Sequence, residues 1–240
     1  MKTAVNQPTF FSWLGYFELI NYVDNFVFLD NVPFGNKPKR INRNIIANEE
    51  GEKFNITLSI KKPNQLSYIK DCNIIVDKNT EKSKNLILDI YKNSKFYNEV
   101  SSIVLDIYSF KSENLAEFNI NLIKKICNII DINCQFYQSS KDFDFKDKLT
   151  NSEYYNKIAD NLKSTSYCTF STGYKSGLYK PEDFFSNNKK FIVQDYKHPA
   201  YKRSKIFIPY LSIIDLLFNN FENSKQIILE GSNWIKYERN

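Results

Sequence analysis

Hydrophobic positions along this chain recur with two periods, and the changes of period mark its elements. Thr3 to Asn6 reads as a short strand, stopped at Gln7-Pro8 because proline cannot continue a central ladder. An aromatic turn, Phe10-Phe11-Ser12-Trp13, follows. Leu14, Phe17, Leu19, Ile20 and Val23 then recur near the 3.6 spacing of a helix. Asn25 ends it, and Phe26-Val27-Phe28-Leu29 reads as a second strand closing on Asp30. A strand–turn–helix–strand of this length is a βαβ unit. Its polar strand ends (Asn6, Gln7, Asp30, Asn31) then converge where open α/β sheets bind ligands.

Val32 to Lys39, with two prolines and a glycine, is a loop. Arg40 to Ile46 alternates weakly. Lys53 to Lys62 alternates Phe54, Ile56, Leu58 and Ile60 against polar residues, so the two stretches predict an antiparallel hairpin. Cys72 to Val76 reads as a further short strand. From Lys78 to Phe110 the helical spacing returns, broken at Asn93-Ser94. The longest helix is predicted from Glu113 to Ile130, capped by Ser112. Strands at Cys134 to Gln138, Tyr167 to Phe170 and Phe191 to Tyr196 then alternate with helices at Ser152 to Leu162, Pro181 to Phe185 and Ile213 to Asn219. Ser171 to Gly177 is left as a hydroxyl-rich loop, and the tail is polar apart from Ile227 to Leu229. The alternation predicts an α/β fold: a mostly parallel, Rossmann-like sheet flanked by helices, with an added antiparallel hairpin. The expected organisation is one domain over 1–220 and a C-terminal extension over 221–240.

The 240 residues suffice for a sizeable core. A net charge of +6 is mild, and beyond Lys37-Pro38-Lys39-Arg40 it forms no basic stripe, so no nucleic-acid partner is expected. Four cysteines (Cys72, Cys127, Cys134, Cys168) have no CxxC spacing, so neither a metal site nor a cofactor is expected. No signal peptide and no apolar run long enough to span a bilayer are visible, so the reading is cytoplasmic, without membrane insertion. Homo-oligomerisation stays open.

Asn6-Gln7-Pro8, Phe11, Trp13 to Phe17, Phe26 to Asp30, Arg43-Asn44, His198-Pro199 and Phe207 to Asn219 together resemble the WbqC-like family. Where many members have histidine this chain has Asn6, and where many have a second acidic residue it has Asn31. The resemblance implies a bacterial protein of surface-polysaccharide (O-antigen, lipopolysaccharide) biosynthesis. The expected function is a transferase that modifies a sugar or nucleotide-linked sugar, by acyl or aminoacyl transfer to a sugar amine. The alternatives are a non-catalytic glycan- or nucleotide-binding protein of the same pathway, and a nucleotidylyltransferase relative. The last shares the opening strand, aromatic turn and helix, but this chain lacks both histidines of that superfamily.

His198, the only histidine, titrates nearest neutrality and is the candidate general base. Asp30, at a strand end, is a candidate to orient a base or bind a hydroxyl, or a cap on the following turn. Arg43 and Lys39 suit a phosphate or carboxylate. Asn6, Gln7 and Asn44 offer both donors and acceptors. Trp13 and Tyr16 are candidates to stack on a sugar or base, or core residues. Ser171 and Thr172 open a glycine-containing segment whose free N–H groups suit a phosphate. It has no Walker order, and no G-x-S-x-G elbow accompanies it.

Overall fold

In this computed structural model, residues 1–35, 40–61, 67–75, 77–145, 149–185, 188–203 and 205–237 are described. The chain opens with β1 (Lys2–Asn6), α1 (Leu14–Tyr22) and β2 (Asn25–Phe28), then the hairpin β3 (Arg43–Ala47) and β4 (Lys53–Thr57). Three long helices follow: α2 (Lys78–Ile90), α3 (Tyr97–Ser109) and α4 (Leu115–Ile129). Next come β5 (Gln135–Gln138), α5 (Ser139–Asp142), α6 (Asn151–Asn161), β6 (Ser166–Phe170), α7 (Ser171–Lys175), α8 (Pro181–Phe185) and β7 (Lys190–Gln194). The last elements are α9 (Ile213–Asn220), α10 (Ser224–Glu230) and β8 (Trp234–Tyr237).

Six strands form one sheet in the order β5-β2-β1-β6-β7-β8, parallel except for β8. The fold is therefore α/β with a mostly parallel sheet, and the hairpin β3–β4 is a separate antiparallel pair. Both faces of the sheet are covered, which is why its strands read as apolar runs. Alternate positions serve different cores. Ala4, Phe26, Phe28, Cys168 and Ile192 pack with α1, α4 and the hairpin. Val5, Val27, Tyr167, Phe191 and Val193 pack with Tyr155 and Ile158 of α6 and Phe184 of α8. Phe17, Phe26 and Phe28 are fully buried, each worth about 1.5–3 kcal/mol of transfer free energy.

The turn between β1 and α1 is clamped by three distant elements. Asn44 Nδ2 on β3 donates to the Phe10 and Phe11 carbonyls at 3.0 and 2.7 Å. Asn119 Nδ2 on α4 donates to the Pro8 and Ile41 carbonyls at 3.0 and 2.7 Å. Ser212 Oγ, which caps α9, donates to the Phe11 carbonyl at 2.8 Å. The clamps hold Phe11 at φ 40°, a left-handed conformation that a phenylalanine rarely adopts. Asn44→Ala therefore leaves the buried Phe10 carbonyl without this donor and the Phe11 carbonyl with Ser212 alone, and about 1–3 kcal/mol of stability should be lost, read from urea unfolding.

Several elements differ from expectation. Cys72 to Ile75 form only isolated bridges (Ile60↔Ile74, Asn73↔Asn114) beside a 3₁₀ turn, Ile69–Asp71. Val76 and Lys62, the ends of two predicted strands, lie outside the described residues. Asn114, rather than Ser112, caps α4: its side chain accepts from Glu117 N, while Ser112 holds Asn114 N. Ser171 to Lys175 is one helical turn, not a loop. The segment after Asn220 supplies α10, which packs on α1, and β8, the sixth strand of the sheet. No helix among the described residues is long and apolar enough to cross a membrane.

Candidate functional site

From β1 the chain moves outward to β2 and then β5. It returns to the other side of β1 for β6 and β7. α1 packs on one face of the sheet and α8 on the other, so the connections leaving β1 and β6 diverge. That reversal is the topological switch point, the crevice where open α/β sheets bind ligands. Asn6 and Gln7 stand on one side of it and Ser171 and Thr172 on the other. Asn6 Oδ1 accepts from Gln7 N at 2.8 Å. The Gln7 side chain and the Ser171 and Thr172 hydroxyls have no protein partner among the described residues, and all three are at least partly exposed.

Trp13 joins this crevice to His198. Its ring packs on Phe170, the last residue of β6, at 5.9 Å between centroids, on Tyr196 at 5.4 Å and on Tyr210 at 5.7 Å. The indole also covers Gly15, where any Cβ would overlap it. Tyr210 in turn meets the His198 ring edge-on at 5.0 Å, and Phe207 lies 5.8 Å from it. His198 Nδ1 is 3.0 Å from the Pro199 carbonyl. A carbonyl only accepts, so Nδ1 carries the proton and Nε2 keeps its lone pair. Nε2 is buried and has no partner among the described residues. Burial pushes the imidazole below its ordinary 6.5, partly countered by the Pro199 bond. At neutral pH the ring is uncharged with a free basic nitrogen, the state a general base needs.

Of the rings around that nitrogen, Tyr210 is the exposed one, at 49%, and it sits at φ 62°. Tyr210→Ala should therefore uncover Nε2. Diethyl pyrocarbonate, which acylates free imidazole nitrogens, should modify His198 about tenfold faster in this variant than in the wild type. An unchanged rate would mean that another route reaches the nitrogen.

Asp30 is also at the carboxyl end of the sheet, following β2, but its carboxylate is engaged. Oδ1 accepts from Ser139 Oγ at 2.9 Å and Ser140 N at 3.0 Å, and Oδ2 from Gln138 Nε2 at 2.7 Å and Ser140 Oγ at 2.6 Å. It is fully buried and pins β2 to the start of α5. Tyr16 is buried too, with rings of Phe17, Phe26 and Phe170 around it, and its hydroxyl donates to the Gln7 carbonyl at 2.8 Å. It presents no open face for stacking. Asn44 is the clamp described above, with Oδ1 also accepting from Ile45 N. Arg43 begins β3 with its side chain exposed and unpaired among the described residues. Lys39 lies outside the described residues.

Two buried carboxylates went unread in the sequence. Asp215 on α9 accepts from Tyr91 Oη at 2.8 Å and Tyr201 Oη at 2.7 Å, and pairs with Arg203 Nη2 at 2.9 Å. Burial raises its pKa, against the pull of Arg203 and the two phenols. A lone acid inside the apolar run Ile213 to Phe218 was the available signal. Glu18 on α1 accepts from Gln194 Nε2, Ser232 Oγ and Trp234 Nε1, fastening β7 and β8 to that helix. Burial keeps the Cys72 and Cys134 thiols protonated, raised to about 11 and about 12. No group of three or more His, Cys, Asp or Glu side chains is arranged to hold a metal among the described residues.

The protein is thus of the doubly wound α/β class, with polar side chains at the switch point of its sheet and an unpartnered imidazole nitrogen joined to them through Trp13 and Tyr210. The chain belongs to the WbqC-like protein family, whose model matches residues 7–227. A Mycobacterium tuberculosis protein named "Uncharacterized protein Rv1507c" is similar, 25% identical over 224 residues, which are 91% of this chain and 93% of that one. No solved structure matches.

Proposed function

We propose that this protein is a transferase of bacterial surface-polysaccharide assembly that acts on an amino sugar, free or nucleotide-linked. The sugar or its nucleotide lies in the switch-point crevice against Asn6, Gln7, Ser171 and Thr172, with Trp13 as its apolar wall. The exposed Arg43 guanidinium serves an anionic group of the substrate. The reaction is acyl or aminoacyl transfer. The sugar amine attacks the donor's carbonyl carbon, His198 Nε2 takes the proton lost from nitrogen, and the donor's leaving group departs with the bond electrons and recovers a proton.

The observation that carries this reading is the His198 geometry: Nδ1–H is committed to a backbone carbonyl and Nε2 is left basic and unpaired. A purely structural histidine would be expected to satisfy both nitrogens. The second reading, a non-catalytic binding protein, is favoured by the burial of Nε2 in an aromatic cluster and by the full occupation of Asp30. Mass spectrometry of nucleotide-linked amino sugars incubated with the protein and acyl or aminoacyl donors separates the two. A mass gain of one acyl or aminoacyl group supports transfer. Saturable binding with no mass change across the donors leaves the binding reading.

A further inference from the structure

A cavity of about 400 Å³ lies between the carboxyl ends of α2 and α9, the start of α3 and the end of β3. That volume falls within the range of about 300–1,000 Å³ typical of small-ligand sites. Its lining includes Arg203 and four asparagines, Asn93, Asn219, Asn220 and Asn223. None of the crevice residues lines it, so its occupancy is independent of the transferase reading.

Arg203 is the unusual member. Its side chain is 4% exposed and its guanidinium is held on both terminal nitrogens. Nη2 pairs with Asp215 and donates to the Ala47 and Asn48 carbonyls at 2.8 and 3.1 Å, and Nη1 donates to the Ile206 carbonyl at 2.6 Å. Among the described residues, Nε alone has no partner. Buried guanidinium donors are rarely left empty, so this one calls for an oxygen. Asp215 already neutralises the guanidinium, Lys95 pairs with Glu222 at 3.8 Å, and the remaining charged lining residues, Lys202 and Glu49, are of opposite sign, so no net negative charge is demanded.

The asparagines refine the ligand. Asn219 and Asn220 spend their Nδ2 groups on the Asp215 and Lys202 carbonyls, at 2.7 and 2.8 Å. Their oxygens accept from nothing among the described residues. Asn93 and Asn223 have both ends of their amides uncommitted there. The wall thus mixes donors with acceptors, which matches hydroxyl groups, since each both donates and accepts. We infer that this cavity binds a neutral polyhydroxylated molecule of monosaccharide size, one of whose oxygens accepts from Arg203 Nε.

The test is titration of the full chain with D-glucose, N-acetyl-D-glucosamine and inorganic phosphate, followed by ¹⁵N-resolved NMR of side-chain amides. A sugar is expected to bind saturably, to shift the Asn93, Asn219 and Asn223 amide resonances and to leave those of Asn6 and Gln7 in place. Asn93→Ala with Asn223→Ala, which removes no side-chain hydrogen bond among the described residues, should weaken that binding about tenfold. Arg203→Lys, which keeps the charge beside Asp215 but removes Nε–H, should weaken it similarly. Three results overturn the inference: no saturable sugar binding, binding of phosphate alone that fades with salt, or sugar shifts confined to Asn6 and Gln7.

Discussion

His198→Ala should lower turnover by about two to four powers of ten while leaving the Michaelis constant nearly unchanged, the scale and pattern of losing a general base. The pH profile adds an independent readout. Because burial depresses the imidazole below 6.5, wild-type turnover should climb with pH to a plateau, with its midpoint below that of an ordinary imidazole, as His198 loses its proton. The variant should lose that acidic limb, since the chain has no other histidine to supply it. The same depression has a sign for stability. The unfolded chain holds the proton more tightly than the folded one, so the contribution is present above the unfolded value and is lost as pH falls through the folded one. Arg43→Ala should act differently. It removes a charge-assisted contact made equally in ground and transition states, so affinity for an anionic substrate weakens while turnover holds. Full turnover in His198→Ala, with an unchanged profile, would remove the imidazole from the chemistry.

Much of this fold was legible because period and length agreed. The opening unit is an apolar strand, a proline stop and a helical stripe, and it folded as those signals require. What was illegible depended on partners far away or on very short elements. β8 has four residues, two of them exposed, and reads as strand only because β7 offers it an open edge. α7 is a single turn whose Gly173 hides helical character behind loop composition. The same logic governs the site. His198 was readable from composition alone, as the only imidazole. The occupation of Asp30 was not, because its donors lie 108 to 110 positions later, on β5 and α5. Trp13 ends the aromatic turn and Tyr16 lies three residues on in α1, yet Tyr16 is buried and Trp13 only partly so. The direction of each ring is fixed by α1 packing on β1 and β2, which no local pattern records.

The largest loss of stability is expected at Asp215, where the chain keeps a carboxylate in its core. Burial alone raises this group's pKa, so its ionised form is held against a cost. Its use is to Arg203, whose guanidinium is equally buried and pairs with it at 2.9 Å, and to the Tyr91 and Tyr201 hydroxyls that it accepts. Asp215→Ala would strand a buried cation and two phenols at once. The expected cost is about 3–5 kcal/mol, read as a fall in the urea midpoint with little change in slope. The pair itself is a different matter. Desolvation of two charges consumes most of their attraction, so Arg203→Met combined with Asp215→Leu should cost less than Asp215→Ala alone, even with the phenols lacking their acceptor and the Ala47, Asn48 and Ile206 carbonyls lacking the guanidinium. A double variant less stable than Asp215→Ala itself would show that the ion pair is net stabilising relative to its apolar replacement. Turnover gives a second reading of the same network. Tyr201 also packs at 6.2 Å from the His198 ring, so loosening its hydroxyl should disturb the imidazole. Tyr201→Phe keeps the ring and removes only the bond to Asp215, and should reduce turnover with little loss of fold.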